Sequence, residues 1–124
     1  MTIHFIIGPP QSGKSTFRRK QFAALPFVDI WDYQEFCQTR DDVFRSYVLH
    51  KRDCVLEAAK GADFVIEHTM LRAVRRAYYL RHLPGIRVAW YTTNNGLYGG
   101  PVGAVYERPT LAEGFAEVHA IPSY

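Results

Sequence analysis

Gly8-Pro9-Pro10-Gln11-Ser12-Gly13-Lys14-Ser15-Thr16 matches the phosphate-binding loop pattern G-x-x-x-x-G-K-[ST] at every fixed position. A loop can wrap a triphosphate closely only where bulky side chains are absent, and Gly8 and Gly13 supply that freedom. Backbone N–H groups of such a loop point at phosphate oxygens, and a helix starting near Lys14 adds the positive end of its dipole. Lys14 is placed for the β- and γ-phosphates and the Ser15 hydroxyl for Mg²⁺. The whole stretch from Gly8 to Thr16 therefore reads as a nucleotide cradle. A chance match in a chain this long has odds of roughly one in two hundred at average residue frequencies.

The flanks agree with the motif. Ile3, Phe5, Ile6 and Ile7 form an apolar, β-branched and aromatic run ahead of the loop, which predicts a strand; Ser15 to Ala24 after it reads as a helix. Strand, glycine loop and helix is the order that the motif requires.

Farther along, Pro26 ends the first helix and Phe27 to Ile30 reads as a second strand, leading into Trp31-Asp32-Tyr33. Ligands of open α/β sheets bind at the carboxyl ends of the strands, so Asp29 or Asp32 is placed near the phosphates, with Asp32 the better candidate because it lies beyond the strand. It has two readings: a base that takes the proton of an acceptor hydroxyl, or the N-cap of a helix starting at Tyr33. Between Asp41 and Lys60 the apolar residues recur at three- and four-residue steps, predicting a long amphipathic helix that ends at Gly61.

A third strand is predicted over Ala62 to Ile66, ending in Glu67-His68-Thr69. Glu67 stands where an acid supports Mg²⁺, and its plain alternative is a structural hydrogen bond or salt bridge. The next segment, Leu71 to Leu83, reads as a helix carrying Arg72, Arg75, Arg76 and Arg81. Arg72 lies nearest the strand edge and is either a phosphate-binding arginine or part of a solvated basic face. Ile86 to Tyr91 forms a fourth strand after the Pro84-Gly85 turn, and the stretch from Thr92 to Gly103, with its Asn and Gly residues, reads as a loop. Arg108 has two readings, an arginine that swings in to stabilise transferred phosphate and an exposed ion-pair partner. Thr110 to Glu113 has capping-box spacing, and Val118 to Ile121 supplies a fifth strand.

The 124-residue length fits a single domain, and 48% hydrophobic with 22% charged residues is a globular balance. A net charge of +3 suits anionic ligands without requiring nucleic acid. Cys37 and Cys54 lack metal-site spacing, and no apolar run reaches membrane-spanning length. With no signal-peptide pattern at the start, the expectation is a cytoplasmic protein with no membrane association.

With these residues placed, the chain resembles the polynucleotide-kinase-like and zeta-toxin-like branch of P-loop kinases. The loop is the specific part; supporting similarities are Asp32-Tyr33, the Ile66 to Leu71 stretch followed by an arginine pair, and Pro109 to Phe115. The resemblance implies a P-loop NTPase α/β sandwich with a parallel five-stranded sheet of order 2-3-1-4-5. It also implies ATP and Mg²⁺ as cofactors, and transfer of the terminal phosphate to a hydroxyl of a nucleic acid end, nucleoside or small metabolite. Lys14 and Ser15 carry over, Asp32 matches the activating aspartate, and Glu67 stands where the family commonly has Asp. Family members insert an arginine-bearing lid helix after the fourth strand, where this chain has the short Gly-rich stretch from Asn94 to Gly103. That difference keeps two rivals in view: a nucleotide-binding regulatory module, and an ATPase stimulated by a partner that supplies an arginine.

Overall fold

The computed structural model describes residues 1–8, 12–30, 62–68, 72–83, 85–93 and 106–122. The predicted helix over 41–60, Asp32 and the Gly-rich 94–103 stretch lie outside them. Five strands are seen, β1 (Thr2–Ile7), β2 (Phe27–Ile30), β3 (Phe64–His68), β4 (Ile86–Tyr91) and β5 (Glu117–Ala120). Two α-helices, α1 (Lys14–Gln21) and α2 (Ala73–His82), and a 3₁₀ turn over Leu111–Glu113 complete the described elements. The strands run in the order β2-β3-β1-β4-β5 and every neighbouring pair is parallel. The expected α/β class with a parallel sheet is what the structure has.

A strand in the middle of a parallel sheet is covered on both faces, and in β1 Ile3, Phe5, Ile6 and Ile7 are buried while Thr2 and His4 are half-buried. Ile3, Phe5 and Ile7 pack with Tyr79 of α2 and with Leu83 just after it, with Phe64 and Ile66, and with Phe115. Ile6 faces the other way, onto Phe17 of α1, Val65 and Ile121. Among the described residues, α1 therefore packs on one face of the sheet and α2 on the other. Register aligns Ile30, His68, Ile7, Tyr91 and Ala120 in one row, so the carboxyl ends of the strands lie along a common edge.

Several boundaries differ from the sequence reading, each for a local reason. Helix α1 ends at Gln21 rather than Ala24, because Phe22 leaves helical geometry and turns its ring among His4, Phe17 and Trp90. Strand β3 runs to His68 instead of stopping at Ile66, because its pairing with β1 continues through Ile6 and Ile7. Asp63 precedes that strand and accepts a hydrogen bond from the Thr2 amide at 2.7 Å, holding the start of β1. Helix α2 stops at His82; Leu83 is extended, as the residue before a proline tends to be. Thr110 to Glu113 does form a capping box, on a single 3₁₀ turn. The fifth strand is shifted one residue, to Glu117–Ala120.

Arg76 is the largest departure from the picture of a basic helix face. It is fully buried, with Nε donating to Glu113 Oε1 at 2.7 Å and Nη2 to Glu113 Oε2 at 3.3 Å. A buried guanidinium needs such a partner. Arg76 thus ties α2 to the capping-box turn.

Candidate functional site

At the carboxyl end of the central strand, Gly8 is required by close approach. A Cβ there would overlap Thr92 Oγ1 and lie 2.9 Å from both Ser12 Oγ and Thr92 Cγ2. Thr92 is buried and its amide donates to the Ile7 carbonyl at 3.0 Å. Tyr106 closes this knot by donating its hydroxyl to the Thr92 carbonyl at 2.7 Å, with the Ile7 carbonyl 3.4 Å away. Burial, opposed by weaker hydrogen-bond and charge effects, pushes the Tyr106 phenol above its ordinary pKa, so it stays a neutral donor. Three segments distant in sequence thereby pin the root of the loop.

Gly13 adopts the left-handed conformation, φ 100°, and is the N-cap of α1. A side chain at that φ would be strained. The turn delivers the start of α1, where amides lack intrahelical partners, to a cleft of about 290 Å³ lined by Gly13, Lys14, Ser15 and Thr16. A helix N-terminus in such a cleft favours anions. No acidic residue occupies the first turn, and Arg18, Arg19 and Lys20 lie in the last, where cations suit the dipole.

Around the cleft the polar side chains hold one another. Lys14 Nζ donates to the Gly8 carbonyl at 2.6 Å, spanning the loop from one glycine to the helix. Ser15 Oγ donates to Glu67 Oε1. The other carboxylate oxygen, Oε2, accepts from Arg18 Nε at 2.8 Å. Glu67 is buried, reached from β3 next to the central strand, and the Arg18 guanidinium lies 3.6 Å over the Phe27 ring. Ser15 and Glu67 are therefore brought together, as the sequence reading required of a shared cation site. Hydroxyl and carboxylate oxygens suit Mg²⁺, which takes few protein ligands and fills its shell with water and phosphate oxygens. Among the described residues no group of three or more His, Cys, Asp or Glu gathers to hold a metal.

The remaining candidates are placed less centrally. Arg72 is half-buried at the N-cap of α2, shortly after β3 in the sequence. Arg108 is exposed; its Nη2 is 3.5 Å from the Thr93 carbonyl and its guanidinium carbon 5.6 Å from the centre of the Tyr91 ring. Both sit beyond strand ends, and neither is among the residues lining the cleft. Pro9, Pro10, Gln11 and Asp32 lie outside the described residues.

The residues not singled out in advance are Arg18, Thr92 and Tyr106. Arg18 carried a readable signal, since residues three apart on a helix share a side and Ser15 is three before it. Thr92 and Tyr106 carried none, because Thr92 meets Gly8, and Tyr106 meets Thr92 and Ile7, only through the tertiary fold. Among the described residues no helix is long and apolar enough to cross a membrane. No protein-family model matches this chain, and no curated protein is significantly similar to it.

Proposed function

We propose that the chain is a cytoplasmic phosphotransferase of the P-loop NTPase class, built on the five-stranded 2-3-1-4-5 sheet, which moves the terminal phosphate of ATP to a hydroxyl. The acceptor classes are a nucleic acid end, a nucleoside or a small metabolite. The observation that carries this reading is the meeting of Ser15 with Glu67 beside the cleft at the start of α1. A loop pattern can arise by chance, but this one follows a central parallel strand, opens a helix and faces a buried acid from the adjacent strand.

In this reading the α1 amides and Lys14 bind and orient the β- and γ-phosphates. Ser15 and Glu67 would hold Mg²⁺, whose charge offsets that of the phosphates. Asp32 takes the acceptor proton, while Arg72 and Arg108 stabilise negative charge on the transferred group. Most of the rate enhancement comes from positioning and electrostatics, which is what phosphoryl transfer demands of a protein.

The test incubates the protein with Mg²⁺ and ATP labelled at the terminal phosphate, offering DNA and RNA with 5′-hydroxyl ends, nucleosides and small sugars, with Lys14→Ala as control. Label on one acceptor class, lost in the control, supports the kinase. ATP bound without transfer to acceptor or water moves the assignment to a nucleotide-binding module. Transfer to water alone that rises with a partner protein identifies a partner-stimulated ATPase.

A further inference from the structure

Glu67 is a buried carboxylate whose two oxygens have different owners. Oε1 accepts from Ser15, the residue next to Lys14, and Oε2 accepts from Arg18, one turn farther along the same helix. Glutamate has one more rotatable bond than aspartate, so a glutamate reaching across from β3 holds a single orientation only if something restrains it. Arg18 supplies the restraint. Its side chain is 13% exposed against 5% for Glu67, and its flat guanidinium rests 3.6 Å over Phe27 at the start of β2. Phe27 itself is 47% exposed, so the stack closes the outer side of the pair. The chain runs Phe27, Arg18, Glu67, Ser15, and joins β2, α1 and β3 to the cleft.

We propose that Arg18 is a positioning residue for the cation: by pairing with Glu67 Oε2 and stacking on Phe27, it keeps Glu67 Oε1 turned to Ser15, so that the site for a nucleotide-bound divalent cation is set before the cation arrives. This rests on the nucleotide-binding reading above. Arg18 acts through Glu67 and is not among the residues lining the cleft. Its contribution belongs to the metal-dependent part of nucleotide affinity. Partners that orient a metal ligand typically change metal affinity by about 10-fold or more when removed.

The experiment measures ATP affinity by calorimetry with Mg²⁺ and with EDTA, and takes the ratio of the two for wild type, Arg18→Gln, Arg18→Lys, Glu67→Gln and the Arg18→Gln/Glu67→Gln double variant. The expected result is a ratio reduced about 10-fold in Arg18→Gln with the EDTA affinity unchanged. Arg18→Lys, which keeps the charge but not the flat stack, falls between. The double variant should match Glu67→Gln alone, since Arg18 acts only through that carboxylate. If Arg18→Gln does not fold, Arg18→Lys and Phe27→Leu carry the same comparison, both expected to lower the ratio. A ratio that is unchanged or increased, or equal losses with and without Mg²⁺, overturns the positioning role while leaving nucleotide binding intact. Wild-type protein that binds no ATP in either condition overturns the nucleotide reading, and the positioning role with it.

Discussion

Adding one methyl group at the root of the loop tests the fold without assuming any ligand. In Gly8→Ala the new Cβ overlaps Thr92 Oγ1 and stands 2.9 Å from Thr92 Cγ2 and Ser12 Oγ. Thr92 is 1% exposed, so its side chain has no outward rotamer to escape to. Its backbone is held as well, by the 3.0 Å bond to the Ile7 carbonyl and the 2.7 Å bond from Tyr106. Overpacking in a rigid site costs about 1–3 kcal/mol, and double pinning places this case near the upper end, about 3 kcal/mol. At a urea slope of about 1.5 kcal/mol per molar, the unfolding midpoint falls by about 2 M. Thr92→Ala removes Oγ1 and Cγ2 together and by itself costs about 1 kcal/mol for the buried hydroxyl. Combined with Gly8→Ala it relieves two of the three clashes, so the pair should be more stable than the sum of the singles by at least about 1 kcal/mol. Urea unfolding of the four proteins decides the matter. Strictly additive losses would refute the claim that Gly8 is required by its approach to Thr92.

Two further outcomes follow from the packing. His4 accepts a hydrogen bond at Nδ1 from Trp90 Nε1 at 3.1 Å, and burial, partly opposed by Asp63 and Glu117, lowers its pKa below 6.5. The unfolded chain then binds the proton first, so stability falls as pH drops below about 6.5 until the lowered folded-state pKa is passed; urea unfolding at pH 7.5 and 5.5 should show a smaller histidine-linked loss in His4→Phe than in wild type, and equal losses would reject it. Glu113→Ala removes the carboxylate that accepts from two nitrogens of buried Arg76 and also closes the capping box, so it should cost about 3 kcal/mol or more, whereas Glu113→Gln, which keeps an oxygen, costs less; a loss under about 1 kcal/mol in thermal or urea unfolding contradicts the structural role of the pair.

The class of fold was legible from the run before Gly8 and the glycines after it, because a mostly apolar strand and a loop opening a helix are local patterns. Strand β2 and strand β4 were readable for the same reason, each lying between turn-forming residues. What was not legible depended on partners far away in sequence. Glu67 and His68 look like loop residues by polarity, yet the register with Ile6 and Ile7 keeps them in β3. Arg76 looks like one of several solvated arginines, yet it is buried and paired with Glu113, 37 positions later. At the site, Lys14, Ser15 and Glu67 stood out by motif and position, whereas Thr92 and Tyr106 are ordinary residues until the fold closes them around Gly8.

The sheet order also dictates a sequence of events in time. Strand β1 leaves the ribosome first, but its two partners lie far downstream, Ile3 pairing with Phe64 and Thr2 with Ile86. At about 5–20 residues per second, the 61 residues separating the first of these pairs take several seconds to make. Throughout that interval Ile3, Phe5, Ile6 and Ile7, all wholly buried in the finished protein, have no strand to lie against. A short apolar, β-forming stretch waiting in that state is an aggregation hazard. The strand that leads into the Gly8–Thr16 loop is thus the part of the nascent chain in most need of shelter, and its safety depends on how soon β3 and β4 arrive.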